Sequence, residues 1–225
     1  MPLVLLSIAP ALLIIIYIYY SDKYDKEPRH LLFICFLLGA IGSILIASVS
    51  HLFISRYCPE LEEPVIWIQF CKAFFVVALV EEFSKYIFVR YFAQNHKEFD
   101  EPYDGIMYAV MVSMGFAVTE NLAYAFQGGI DVAIYRAFTA VPAHATFGII
   151  MGYYMGKAKF SKNRIKYNLM GLALAAFFHG IYDFFLFINY IPGISIGAFM
   201  SLAVGLLLSQ KAIRIHQRNS HFKPK

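Results

Sequence analysis

The chain has 225 residues, of which 60% are hydrophobic and only 15% charged. A soluble domain has roughly 45–50% apolar and about 25% charged residues, so a water-solvated globule is excluded and the bilayer is the solvent to reason with. The formal net charge of +4 is modest and one-sided along the chain, which reads as membrane orientation and speaks against a nucleic-acid partner.

The predicted elements are seven apolar spans. Pro2 to Tyr20 is about the length a bilayer needs. It has no basic leader and no A-x-A-like cleavage site before Ser21, so it reads as a retained helix. Leu31 to Ser55 is the second span. The third runs from about Val65 to Phe92, is longer than a crossing needs, and contains Glu81, Glu82 and Lys85. The fourth covers Gly105 to about Phe126, where Gly128-Gly129 is expected to break it into a loop ending near Arg136. Ala137 to Gly156, Asn168 to Tyr190 and Ile194 to about Ile213 complete the set, followed by a basic tail. Cys35, Cys58 and Cys71 are odd in number and widely spaced, and form neither a disulfide framework nor a metal motif. No stretch is left for a separate soluble domain, so residues 1–225 are expected to form one integral membrane domain.

Charge orients this bundle. With alternate loops assigned to one side, fifteen of the nineteen Lys and Arg fall together, Arg56 and Arg136 fall opposite, and Lys72 and Lys85 lie within a span. Loops rich in Lys and Arg stay in the cytoplasm. The N-terminus is therefore expected outside and the C-terminus inside.

Ionisable groups at membrane depth cost roughly 2.5–3.5 kcal/mol each on insertion scales, and persist with partners and for function. Four successive spans carry them: Glu81 and Glu82, then Glu120 beside Asn121, then His144, then His179 with Asp183. His179 and Asp183 are at i and i+4 on one helical face, where the carboxylate can fix the imidazole tautomer. Lys85 reads as the charge partner of Glu81 or Glu82. Phe116 reads as packing, while His51 and His216 show no partner pattern and read as structural. His144 alone would serve equally well as a hydrogen-bonded packing residue.

Carboxylates and imidazoles together suit the activation of water: a glutamate takes its proton and imidazoles stabilise the oxyanion or protonate the leaving amine. No GxSxG or HExxH motif occurs. Glu, His and Asp also suit a catalytic divalent metal such as zinc, with Glu81, Glu120, His144 and His179 as its candidate ligands. The residue types leave both routes open, a glutamic mechanism without cofactor or a metal-dependent one.

The ordered set EExxxK (Glu81, Glu82, Lys85), FxxxEN (Phe116, Glu120, Asn121), His144 and HxxxD (His179, Asp183) resembles the PrsW family. The likeness runs from about Val65 to Phe185. That family comprises bacterial intramembrane proteases that make the first cut in a membrane-anchored anti-sigma factor. It is related to CAAX-prenyl endopeptidases and bacteriocin-processing proteins, whose pattern is EExxxR, FxxxH and HxxxN/D. Lys85 stands where the wider group has Arg, and Glu120 where it has His, so a histidine's role does not carry over to Glu120. The resemblance implies that Glu81 and Glu82 are catalytic and that His179 is essential.

The expectation is then a polytopic, all-α protease of the bacterial cell membrane, with its catalytic core at about 65–190. Its partners would be the bilayer and a single-span substrate of anti-sigma type, cut near the external membrane border in stress signalling. Glu81 would be the base; Glu82, Glu120 and Asp183 would tune and orient; His144 and His179 would stabilise the oxyanion or bind a metal. A proton- or ion-coupled transporter using the same buried cluster is the rival. A catalytically dead receptor is a third reading.

Overall fold

A computed structural model describes residues 2–223; Met1 and the last two residues of the expected basic tail, Pro224 and Lys225, lie outside them. The described residues are helical with no strand. Helix α1 is Pro2–Ser21 and α2 is Arg29–Tyr57, the latter widened into a π-helical turn over Leu38–Ser43. Helix α3 is continuous over 66–91, built of Ile66–Cys71, a π-helical Lys72–Ala78, and Leu79–Tyr91. Helices α4 (Pro102–Phe138), α5 (Ala140–Lys159), α6 (Arg164–Phe187) and α7 (Ile196–Arg218) follow.

Among the described residues, five segments are long and apolar enough to cross a membrane. One of them, Pro102–Lys159, contains both α4 and α5. The rod over 66–91 is not among the five; besides Glu81, Glu82 and Lys85, the charges singled out from the sequence, it carries Lys72 and Arg90.

Helix α4 is the axis of the fold. Every residue from Pro102 to Val118 is buried, the mark of a helix apolar on all sides and enclosed by neighbours. Its tightest partner is α5, where Gly148, Gly152 and Gly156 recur every fourth residue. A β-carbon on Gly152 would strike the backbone of Gly105 and Ile106, and one on Gly156 the carbonyl of Pro102. Small residues at this spacing let two membrane helices touch through their backbones.

One expectation needs correcting. The stretch after Gly128-Gly129 is not a loop: only Gly129 leaves helical geometry, at φ 78° and ψ −164°, and residues 130–138 are helical again. Glycine reaches that conformation without strain, so the chain bends and resumes. The basic stretch 157–166, between the fifth and sixth expected spans, is likewise mostly helical. Lys157 and Lys159 close the last turn of α5, and Arg164 and Lys166 open α6. Cations at a helix C-terminus complement its dipole, which suits the two lysines.

The end of the bundle where α4 starts holds a cluster of buried acids. Asp22 and Glu27 from the α1–α2 connection and Glu101 at the head of α4 are 2%, 4% and 1% exposed. Tyr108 donates its hydroxyl to Glu27, and Ser220 to Glu101. Burial pushes Asp22 up to about 6 and Glu101 up to about 7. Burial, reinforced by Asp104, pushes Glu27 up to about 11.

Candidate active site

The site begins on α3, one turn past its π segment. Extra residues in a helical turn leave backbone carbonyls without their usual partners and recur at functional sites. Here the ring of His51 lies 3.2 Å from the Val76 carbonyl, Nε2 to oxygen. The α-helical turn then resumes and sends Glu81 and Glu82, both buried, to different neighbours.

Glu82 is the hub. Its Oε1 accepts from Lys85 Nζ at 2.7 Å and from His179 Nδ1 at 2.9 Å. Lys85 also reaches His144 Nδ1 at 3.1 Å, and lies 4.2 Å from the centre of the Phe116 ring. His144 Nε2 meets Glu120 Oε2 at 2.9 Å. The other nitrogen of His179, Nε2, faces Asp183 Oδ2 at 3.2 Å and Glu81 Oε2 at 4.0 Å. The two imidazoles stand edge to face with centroids 5.3 Å apart, and Phe147 stacks on His179 at 4.7 Å.

All nine residues singled out from the sequence therefore lie at one place. Glu81, Phe116, Glu120, His144, His179 and Asp183 line a cavity of about 890 Å³. Glu82, Lys85 and Asn121 stand behind its wall, at 0%, 1% and 1% exposure. Lys85 chooses Glu82 over Glu81. Phe116 is more than packing, since its ring faces the Lys85 ammonium at cation–π distance.

Arg136 and His51 were not expected at the cavity. Arg136, counted as an outer-loop charge, donates from Nη2 to Glu120 Oε2 at 2.6 Å and from Nε to Asn121 Oδ1 at 2.8 Å. His51, read as structural, lines the same cavity. No local spacing signals either contact, because each joins separate helical segments.

The mouth can be placed from the lining. Lys72, Gln127, Tyr135, Arg136, Thr139 and Phe187 all belong to helix ends on the same side of the bundle. The cavity thus opens away from the end that holds Asp22, Glu27 and Glu101.

Glu81 Oε2 is buried without a hydrogen-bond partner, an expensive arrangement unless something else uses that oxygen. Glu81, His144 and His179 each offer a donor atom, all within 4.8 Å of one another. A catalytic zinc takes three such protein ligands and tolerates this mix of nitrogen and oxygen. The donor set fits a divalent metal, on the condition that His144 releases Glu120 or Lys85 to present a lone pair. Glu120, expected as a fourth ligand, lies outside this triplet and is taken by Arg136.

The family described as "PrsW family intramembrane metalloprotease" matches residues 27–209. The chain is 38% identical over 195 residues to Protease PrsW of Geobacillus kaustophilus, covering 86% of this chain and 84% of that one. It is 42% identical over 181 residues to Protease PrsW of Oceanobacillus iheyensis, covering 80% of each chain. With Protease PrsW of Bacillus subtilis it shares 37% over 182 residues, again 80% of each. No solved structure matches the chain.

Proposed function

This chain belongs to the PrsW family of intramembrane proteases, and from that premise we propose that it cuts a single-span membrane protein of anti-sigma type near the outer membrane border. It is a multi-pass bacterial membrane enzyme, and family membership decides for a protease over a transporter. Seven crossings, with the N-terminus outside and the C-terminus in the cytoplasm, put the cavity mouth on the outer side.

The Glu81 carboxylate carries this reading: its Oε2 is buried, unpartnered and 4.0 Å from His179 Nε2 on the cavity wall. In the proposed reaction Glu81 takes the proton of a water that attacks the scissile carbonyl. Glu82 accepts the Nδ1 hydrogen of His179 and so aims Nε2 into the cavity, while Asp183 supports it from the next turn. In the route without metal, His179 acts as an imidazolium held between Glu82 and Asp183, donates its Nε2 hydrogen to the developing oxyanion or the leaving amine, and is reprotonated by the proton Glu81 took. Lys85 neutralises Glu82 and steers His144. A divalent metal held by Glu81, His144 and His179 would lower the pKa of a bound water toward about 7. With such a metal bound, Glu81 would serve both as a ligand and as the proton acceptor.

The test is co-expression with a tagged anti-sigma-type membrane protein and immunoblotting for the shortened product. Glu81→Gln keeps the shape and removes the base, so the product should vanish while the enzyme remains inserted. Full processing by that variant would remove Glu81 from the role. A chelator wash of the purified enzyme, followed by metal analysis, decides between the two routes to activated water.

A further inference from the structure

After Gly129 bends the chain, residues 130–138 form a short rod, and Thr139, at φ −122° and ψ −69°, separates it from α5. Its outward residues Ile130, Ile134 and Phe138 are 48%, 42% and 77% exposed. Its other side presents Tyr135, Arg136 and then Thr139 to the cavity. A rod between two bends is free to swing unless something ties it down.

Arg136 is the tie. Its guanidinium spans Glu120 Oε2 and Asn121 Oδ1 and lies 4.0 Å from the centre of the Tyr124 ring. Both members of the ion pair are largely sheltered, with side chains 16% and 17% exposed. The oxygen that Arg136 holds is the same one that meets His144 Nε2. A planar fork of donors with a stacking face is what Arg offers; Lys keeps the charge and a single-point contact and lacks both fork and face.

We propose that Arg136 is a positioning residue of this site: it holds residues 130–138 over the cavity mouth and, through Glu120, sets the His144 ring toward the peptide bond being cut. The second half of this statement rests on the protease reading above. A purely structural ion pair would behave differently. Removing Arg136 would then leave a buried charge, lower the amount of folded protein, and lower activity only in proportion.

The experiment uses the full chain reconstituted in liposomes with a tagged single-span anti-sigma-type protein as substrate. Wild type, Arg136→Gln, Arg136→Lys and Glu81→Gln are compared. Arg136→Gln is expected to lower kcat about a hundredfold with little change in KM, the cost of misplacing a reacting group by about an ångström. Arg136→Lys should recover a substantial part of it. Backbone hydrogen exchange over 130–138 should quicken in Arg136→Gln and slow again in Arg136→Lys. Wild-type kcat in Arg136→Gln overturns the proposal, as does unchanged exchange. A loss of kcat that merely tracks lost folded protein, with no recovery in Arg136→Lys, also overturns it. If wild type and Glu81→Gln give the same product, or none, the protease reading is what fails. The exchange measurement still decides whether Arg136 holds the rod.

Discussion

Lys85 Nζ lies 3.1 Å from Nδ1 of His144, on a helix 59 residues further along the chain. An ammonium can only donate, so this contact makes Nδ1 an acceptor and places the ring's own hydrogen on Nε2, facing Glu120. The same ammonium holds Glu82. One lysine thus joins two glutamate–histidine pairs, Glu82 with His179 and Glu120 with His144.

Replacing that lysine separates charge from shape. Lys85→Met leaves Glu82, fully buried, without its cation. Breaking a buried pair from one side costs roughly 3–5 kcal/mol, so the variant should unfold earlier in detergent and cleave nothing. Lys85→Arg keeps the charge and should retain substantial activity. Thermal unfolding and product blots on the three proteins, side by side, check both statements.

His179→Ala should abolish cleavage with the protein still abundant, since both of its ring nitrogens are engaged in the site. Asp183→Asn should cost less, about 10- to 100-fold, the usual effect of losing a group that orients a histidine. Initial rates of product formation rank the two; equal and complete inactivity would place Asp183 in the chemistry itself.

Gly152→Val tests the backbone contact between α4 and α5. A β-branched side chain there meets the Gly105 carbonyl and the Ile106 backbone, and backbone cannot move aside as a flexible side chain can. Loss of folded, monodisperse protein on size-exclusion chromatography is expected, whereas Phe138→Ala, at a 77% exposed position, should leave the elution profile unchanged.

The acid cluster sets a pH dependence. Folding raises Asp22 from 3.8 to about 6 and Glu101 from 4.5 to about 7. Between those values the folded chain binds more protons than the unfolded chain, so stability falls as pH rises. The contribution is fully present below the ordinary carboxyl values and lost above about 6 for Asp22 and about 7 for Glu101. Asp22→Asn removes one of these groups and should shrink the drop in unfolding temperature between acidic and neutral buffer. An unaltered drop would show that Asp22 does not titrate in this window.

Topology is checked by reporter fusions after Lys166 and at the C-terminus, both expected to read cytoplasmic. An external reading at either point would overturn the orientation drawn from the lysine and arginine distribution.

What the sequence discloses about this site follows from cost. Glu81, Glu82, His179 and Asp183 stand out because charge inside an apolar run is expensive, and because i, i+4 spacing fixes a shared face. Lys85 was ambiguous, since helical spacing permits contact with Glu81 or with Glu82; the rotation of α3 decides for Glu82. Arg136 was opaque. Its contact spans sixteen residues and depends on Gly129 bending a helix that composition alone suggested would stop. His51 was opaque for a similar reason, as its partner is a backbone carbonyl within a π-helical turn. The helical, membrane-embedded character was legible nearly throughout, because about 20 consecutive apolar residues suit a bilayer crossing.

The π-helical turn at Lys72–Ala78 behaves as a phase shift in α3. It accommodates more residues per turn than the helix on either side. Deleting one residue there would let the rod relax toward ordinary winding, where each residue accounts for about 100° of rotation. The wide turn already holds the surplus residue, so that loss is absorbed locally and the segment beyond keeps nearly its present facing. A deletion at Leu79 or Val80 has no such slack. With Phe70 still packed on Phe184, it would turn Glu81 off the cavity wall and Glu82 away from His179 by about 100°. Product blots should therefore show activity surviving a one-residue deletion within 72–78 better than one at 79–80, a sensitivity to where a residue is lost more than to its chemistry.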